Sequence, residues 1–133
     1  ENLRYYIVGY GPLEAYIRSL IVLLDLKNHV EILIKPGNIP QILNNSDIYL
    51  STSLFEGLSN SIMEAMSAGL PVIGTDVGDN RYLIEDGYNG FIVPCMDVQV
   101  ITDRILFLLN NEEIRKENGI NSMEKIEKEF SET

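Results

Sequence analysis

Short apolar runs alternate along this chain with segments in which apolar residues recur at helical spacing. The short runs are rich in β-branched and aromatic residues and are bounded by glycine, proline or asparagine, which is typical of strands. They predict five strands, at residues 3–9, 30–34, 48–52, 72–75 and 90–93. The helical spacing predicts helices between and after them, at residues 12–26, 39–45, 60–68, 81–84, 98–109 and 112–129.

This alternation predicts the fold class. Strands that alternate with helices form parallel sheets, and short apolar strands without strict polar alternation suit a sheet that is covered on both faces. We therefore expect a doubly wound, Rossmann-like α/β domain with a parallel sheet and helices on both faces. At 133 residues the chain has the length of one domain. The charged run at residues 112–132 fits the solvated face of a terminal helix.

Charge and composition exclude several functions. The net charge of −10 repels nucleic acid and anionic lipid, so we expect neither nucleic acid nor a membrane to be a direct partner of this domain. The single cysteine, Cys95, excludes an internal disulfide, fits a reducing cytoplasm and is expected to be a partly buried structural thiol. Because the chain starts with a strand-like run and no methionine, we expect it to be part of a larger protein.

Ligands of doubly wound sheets bind beyond the carboxyl ends of the strands, so the loops there are the informative ones. The first such loop contains Gly9-x-Gly11, which resembles the beginning of a dinucleotide fingerprint. However, Glu14 occupies the third glycine position of that fingerprint, and no acid follows the second strand. The sequence therefore disfavours a nicotinamide or flavin cofactor.

The loop at residues 55–60 is the stronger candidate for a binding site. Gly57, Ser59 and Asn60 allow the backbone to approach a ligand, and the helix that follows directs its free amides and positive dipole end toward the loop. An anion such as a diphosphate fits there. Glu56, in the same loop, is either an ordinary surface acid or an acceptor for sugar hydroxyls. No D-x-D motif is present, so the sequence predicts no metal site.

Two interpretations of Glu64 stay open on spacing alone. Ser61-Ile62-Met63-Glu64 matches a capping box, in which the glutamate accepts a backbone N–H at the start of the helix. If the helix instead begins at Ser59 or Asn60, Glu64 lies about one turn inside it and is free to accept hydrogen bonds from vicinal hydroxyls.

A family resemblance separates these interpretations. Residues 56–64 (EGLSNSIME), followed by residues 65–73 (AMSAGLPVI), resemble the E-x-x-x-x-x-x-x-E signature of the group 1 (family 4) retaining glycosyltransferases of GT-B fold. Similarity to that family continues over nearly the whole chain, at residues 7–13 (IVGYGPL), 45–50 (NSDIYL), 76–78 (DVG) and 84–94 (IEDGYNGFIVP). The chain therefore resembles the C-terminal, nucleotide-sugar-binding domain of that fold.

The resemblance implies a role for each matching residue. Glu64 would bind the ribose hydroxyls of the donor, and Glu56, the residue expected to serve catalysis, would hold hydroxyls of the transferred sugar. The backbone of Gly57, Leu58, Ser59 and Asn60 would contact sugar and diphosphate. The nucleotide base would lie near Ile34, Lys35 and Ile39, although Ile34-Lys35 departs from the glycine and aromatic residues that the family often has there.

The resemblance also implies the function. The domain would bind a UDP-sugar or GDP-sugar as substrate, without a cofactor, for metal-independent transfer of a hexose or similar sugar to a glycan or lipid-linked acceptor. The acceptor-binding N-terminal domain and the basic residues that neutralise the diphosphate are absent from this chain, so the chain alone is expected to be inactive. The parent enzyme would be cytoplasmic, and attachment to the membrane periphery stays open for it. The alternatives are a nucleotide-sugar epimerase or phosphorylase of GT-B architecture, and a non-catalytic partner subunit.

Overall fold

The structure of the protein is a computed structural model that describes residues 3–9, 11–34 and 36–130. The chain divides into two compact units, Glu1–Ile39 and Pro40–Thr133, and each is described by itself. Of the helices in the described ranges, none combines the length and the apolar composition needed to cross a membrane.

The first unit is a parallel β-α-β arrangement. Strand β1 (Tyr5–Val8) is followed by helix α1 (Glu14–Leu23) and strand β2 (Val30–Leu33). The two strands pair in parallel, with Tyr5 opposite Val30 and Val8 opposite Leu33. The connection through a helix is the one that parallel strands require.

The second unit contains a three-stranded parallel sheet and most of the helices. Its strand order is β3-β4-β5, so each strand pairs with the next one along the chain. The elements are α2 (Ile39–Asn44), which begins at the last residue of the first unit, β3 (Tyr49–Ser51), α3 (Asn60–Ser67), β4 (Val72–Thr75), α4 (Asn80–Leu83), β5 (Gly90–Val93), α5 (Val98–Leu109) and α6 (Glu112–Phe130).

Helices cover both faces of this sheet. Successive side chains of a strand point to opposite faces, and β4 shows the consequence in two neighbouring residues. Val72 belongs to a buried cluster with Ile62 and Met66 of α3, whereas Ile73 belongs to a second cluster with Leu108 of α5. All these side chains are fully buried. The expected parallel α/β fold with both faces covered is therefore confirmed.

Helix α6 packs on α3 through a contact between two glycines. A Cβ atom placed on Gly119 of α6 would lie 2.2 Å from the carbonyl oxygen of Gly69, the second residue after α3. Only a residue without a side chain permits this approach. Asn118, Ser122 and Ile126 of α6 are buried, and most charged residues of this helix are exposed, as predicted for the solvated face of a terminal helix; Arg115 and Lys125 are the half-buried exceptions.

The predicted elements are all present, and their bounds differ mainly at α1. This helix was expected to begin at Pro12 and end near Leu26, but it begins at Glu14 and ends at Leu23. Asp25 adopts a left-handed φ of 57°, which terminates the helix earlier than the apolar spacing indicated.

The expectation for Cys95 is wrong, because its side chain is exposed. Strand β5 ends at Val93, and Cys95 lies in the turn that follows.

Candidate donor-binding site

The candidate site lies in the second unit, beyond the carboxyl ends of β3 and β4. Loop 52–59 connects β3 to α3, and turn 76–79 connects β4 to α4. Because β3 and β4 are parallel neighbours, the two connections leave the sheet at the same edge. We call them the donor loop (residues 52–59) and the β4 turn (residues 76–79).

Glu56 is a half-buried residue of the donor loop, and its carboxylate is held by a neighbour. The Ser53 hydroxyl donates a hydrogen bond of 3.0 Å to Oε2 of Glu56. The carbonyl oxygen of Ser53 accepts a hydrogen bond of 2.6 Å from Oγ1 of Thr75, which is buried at the end of β4. The Glu56 carboxylate is thus connected to the core strand of the sheet through a single serine.

The β4 turn touches the backbone of the donor loop. Gly78 has a left-handed φ of 51°, and a Cβ atom placed on it would lie 1.7 Å from the carbonyl oxygen of Glu56. The backbone amide of Asp79 donates a hydrogen bond of 3.3 Å to the carbonyl oxygen of Gly57. Two successive residues of the turn therefore contact two successive peptides of the loop.

Helix α3 begins where the donor loop ends, with Ser59 as its N-cap. The Ser59 hydroxyl accepts a hydrogen bond of 3.1 Å from the amide of Ile62, and the side chain is nearly fully buried. With the acceptors that the structure describes, the amides of Gly57, Leu58, Asn60 and Ser61 form no hydrogen bond. They are donors available to an anion at the positive end of the helix dipole.

The position of Ser59 decides between the two interpretations of Glu64. In a capping box the glutamate stands three residues after the N-cap, and that position is occupied by Ile62. Glu64 lies five residues after Ser59, one turn inside α3, and the capping-box interpretation is wrong. Its side chain is exposed and makes no hydrogen bond or ion pair with a described residue. It is available to a ligand, and its role as a ribose ligand stays a prediction.

The core-facing and solvent-facing residues of α3 lie on different sides of the helix. Ile62, Ala65 and Met66 are fully buried, whereas Ser61 and Glu64 are exposed. This pattern orients the helix so that the Glu64 face is open to solvent.

The cation nearest in sequence to the β4 turn is already paired. Arg81 forms two hydrogen bonds with Asp76, of 2.8 Å from Nε and 3.0 Å from Nη2. The hydrogen bond and the charge of Asp76 raise the pKa of the Arg81 guanidinium above its ordinary value. Because Arg81 is engaged in this way, the available backbone amides are the main candidates for binding an anion among the described residues of this site.

The residues predicted to contact the nucleotide base belong to the first unit. Ile34 directly follows β2 and is exposed, and Ile39 is the first residue of α2 and is half-buried. Lys35 lies outside the described residues. The proximity of these residues to the donor loop therefore stays a prediction.

Three residues that support the donor loop were missed by the sequence analysis, namely Ser53, Thr75 and Gly78. Spacing does not reveal Ser53 or Thr75, because their contact joins residues 22 positions apart. Gly78 carried a signal, since a glycine a few residues after an apolar strand often marks a turn or a close backbone approach.

Fold and candidate site together define the class of protein: an α/β domain whose candidate ligand site is built from loops beyond the carboxyl ends of a parallel sheet. Comparison with known sequences gives the family. The sequence pattern of the family "Glycosyl transferases group 1" matches residues 1–125, and this chain belongs to that family.

Individual relatives and solved structures agree with this assignment. N-acetyl-alpha-D-glucosaminyl L-malate synthase of Bacillus anthracis is 32% identical over 124 residues, which cover 93% of this chain and 32% of that protein. The chain thus spans about a third of this curated relative's length. A mutant of S. aureus TarM in complex with Fondaparinux, alpha-GlcNAc-glycerol and UDP superimposes with a TM-score of 0.91 at 28% identity, covering 96% of this chain and 26% of TarM.

A second solved structure is Anabaena Alr3699/HepE in complex with UDP-glucose. It superimposes with a TM-score of 0.87 at 27% identity, and the match covers 96% of this chain and 36% of HepE. The fold of this chain is thus the Rossmann-like α/β fold of the C-terminal half of GT-B glycosyltransferases.

Proposed function

We propose that this chain is the nucleotide-sugar-binding domain of a retaining glycosyltransferase. The enzyme would move a hexose or similar sugar from a UDP-sugar or GDP-sugar to a glycan or lipid-linked acceptor. In this proposal the chain supplies the donor site, and the acceptor site belongs to an N-terminal domain outside the 133 residues.

The observation that carries this proposal is the start of α3. Backbone amides without a described acceptor, among them those of Gly57, Leu58, Asn60 and Ser61, lie along the chain between two carboxylates, Glu56 in the loop and Glu64 in the helix. A nucleotide sugar needs both kinds of group, since amides bind its diphosphate and carboxylates accept hydrogen bonds from its hydroxyls. The UDP-glucose of the HepE complex is a nucleotide sugar, and the UDP of the TarM complex is the nucleoside diphosphate part of one.

Each residue has a chemical task in this proposal. The amides bind the diphosphate and stabilise the negative charge that develops on it as the bond to the sugar breaks. The Glu56 carboxylate, oriented by Ser53, accepts hydrogen bonds from hydroxyls of the transferred sugar. Glu64 accepts hydrogen bonds from the ribose hydroxyls, and the region of Ile34, Lys35 and Ile39 contacts the base.

The proposed transfer needs no metal ion and no cofactor. Because Arg81 is paired with Asp76, further positive charge for the diphosphate would come from basic side chains upstream of this domain. The attacking acceptor hydroxyl would come from the missing N-terminal domain, so this chain alone would bind the donor without transferring the sugar. We place the parent enzyme in the cytoplasm, where nucleotide sugars would serve as its substrates.

Calorimetric titration of the purified chain with UDP, GDP, UDP-glucose and GDP-mannose tests the proposal. We expect binding of one nucleotide series and a loss of affinity in Glu64→Ala, because the ribose loses its hydrogen-bond acceptor. Glu127→Ala on α6 is the matched control, since it removes the same charge from another exposed helical position. Folded protein that binds none of the four compounds would refute the donor-site assignment and favour a non-catalytic subunit.

A further inference from the structure

We propose that Gly78 is a positioning residue for the donor sugar: the β4 turn fixes the backbone at Glu56 and thereby sets where its carboxylate meets the sugar. This inference rests on the proposed function, because it assigns the specificity of that site to a residue outside the donor loop. Gly78 itself would not touch the donor.

The argument starts from the space around Gly78. A Cβ atom there would lie 1.7 Å from the carbonyl oxygen and 2.5 Å from the carbonyl carbon of Glu56, and 3.1 Å from the carbonyl oxygen of Gly57. All three are main-chain atoms, which cannot rotate away as the end of a flexible side chain can. Any side chain at position 78 must therefore move the β4 turn and the peptide that joins Glu56 to Gly57 apart.

The neighbouring hydrogen bond couples the turn to the loop in the same place. The Asp79 amide donates to the carbonyl oxygen of Gly57, so the turn contacts the peptides on both sides of Gly57. The Ser53 hydroxyl donates a hydrogen bond to the side-chain carboxylate of Glu56. Glu56 is thus constrained at its backbone by the β4 turn and at its carboxylate by the donor loop itself.

This geometry predicts a selective effect on the sugar. The Glu56 peptide and its side chain share one Cα atom, so displacing the peptide moves the carboxylate that is proposed to contact the sugar hydroxyls. The amides at Asn60 and Ser61 are anchored separately, through the Ser59 cap of α3. A change at Gly78 should therefore weaken the sugar-dependent part of the affinity more than the binding of the nucleoside diphosphate.

Gly78→Ala tests this inference, with Gly87→Ala as a matched control. Gly87 also has a left-handed φ, of 83°, but a Cβ atom on it would meet no atom within 4 Å. Both substitutions therefore add backbone strain, and only the first displaces the Glu56 peptide. Amide NMR spectra of the purified chain should show that Gly78→Ala moves the Gly57 and Leu58 resonances and that Gly87→Ala leaves them in place.

Calorimetry then distinguishes the affinity for the sugar part of the donor from the affinity for its nucleotide part. We expect Gly78→Ala to lower the affinity for the sugar-bearing donor by about tenfold, with a smaller loss for the nucleoside diphosphate. In a Glu56→Ala background the same substitution should cause no further sugar-dependent loss, since the side chain that it repositions is gone. Gly87→Ala should bind both ligands as the wild-type chain does.

Unmoved Gly57 resonances, or an equal loss in the Glu56→Ala background, would overturn the inference. If Gly78→Ala does not fold, Asp79→Pro provides a second test, because the proline ring carbon replaces the amide hydrogen donated to Gly57 and so breaks this contact without a Cβ atom at position 78. Wild-type chain that binds no nucleotide would refute the proposed function, whereas the NMR result would still decide whether Gly78 positions the loop.

Discussion

The hydroxyl of Thr75 donates a hydrogen bond of 2.6 Å to the carbonyl oxygen of Ser53, and this contact joins the end of the central strand β4 to the donor loop. Ser53 in turn donates to Glu56 through its own hydroxyl. A buried residue of the sheet therefore determines where a half-buried carboxylate of the site is held.

Thr75→Val should destabilise the protein and loosen the donor loop. Valine keeps the shape of threonine but removes the hydroxyl, which leaves the Ser53 carbonyl without its strongest donor. We expect a loss of about 1–2 kcal/mol in the free energy of unfolding, measured by urea denaturation. Thr102→Val, at an exposed position of α5, is the control and should leave that free energy nearly unchanged. Equal stability of the two variants would contradict the proposed importance of the Thr75 contact.

Ser53→Ala should reduce binding of the donor sugar without a comparable loss of nucleotide binding. The substitution removes the hydrogen bond that orients the Glu56 carboxylate, and that carboxylate is proposed to contact the sugar alone. We expect the affinity for the sugar-bearing donor to fall by about three- to tenfold, measured by calorimetry against the nucleoside diphosphate. Ser67→Ala, at the exposed end of α3, is the control. A loss of affinity of the same size for both ligands would show that Ser53 does not act through the sugar contact of Glu56.

Ser59→Ala should reduce both stability and nucleotide binding, because Ser59 caps the helix whose amides are proposed to bind the diphosphate. Loss of an N-cap costs about 1 kcal/mol. Asp97→Ala provides the comparison, since Asp97 caps α5 through a bond of 3.1 Å from the amide of Val100. Thermal unfolding should show similar losses in the two variants, whereas calorimetry with the nucleotide should show weaker binding only for Ser59→Ala. Weaker binding in both would mean that general stability, rather than the α3 terminus, controls affinity.

Gly119→Ala should destabilise the protein, although alanine is the better helix former. In an isolated helix the substitution would be favourable by about 1 kcal/mol, but here the new Cβ atom would lie 2.2 Å from the Gly69 carbonyl. We expect a net loss of about 1–3 kcal/mol from separation of α3 and α6, measured by urea denaturation. Gly37→Ala, where a Cβ atom meets no atom within 4 Å, should have little effect. A stabilised Gly119→Ala variant would show that the two helices can separate at no cost.

Local sequence patterns predicted most of the fold, because these strands and helices follow from short-range preferences. The bounds of β4, β5 and α5 match the prediction, since each is a continuous apolar or amphipathic run between clear turn signals. The end of α1 was missed because apolar spacing continues to Leu26, while the backbone already turns into the left-handed region at Asp25. Spacing records which residues can face the core and does not fix the torsion angle that ends a helix.

The site was predictable to a smaller extent. The donor loop and the helix that follows it could be located, because glycine, serine and asparagine after a strand indicate both a loop and a helix start. The sequence could not decide whether Glu64 caps the helix or is available to a ligand, since Ser59 and Ser61 are equally acceptable N-caps. The structure decides it, because the buried Ser59 side chain accepts the hydrogen bond of the Ile62 amide.

Because α3 has one side buried in the core and one side exposed, its two sides can change differently during evolution. Ile62, Ala65 and Met66 maintain the core and Met63 packs against it, while Asn60, Ser61 and Glu64 are exposed. Substitutions at positions 60 and 61 can therefore change the exposed face of α3 while leaving core packing intact. In this one short helix, exposed positions beside the proposed donor site can thus change with little effect on folding stability.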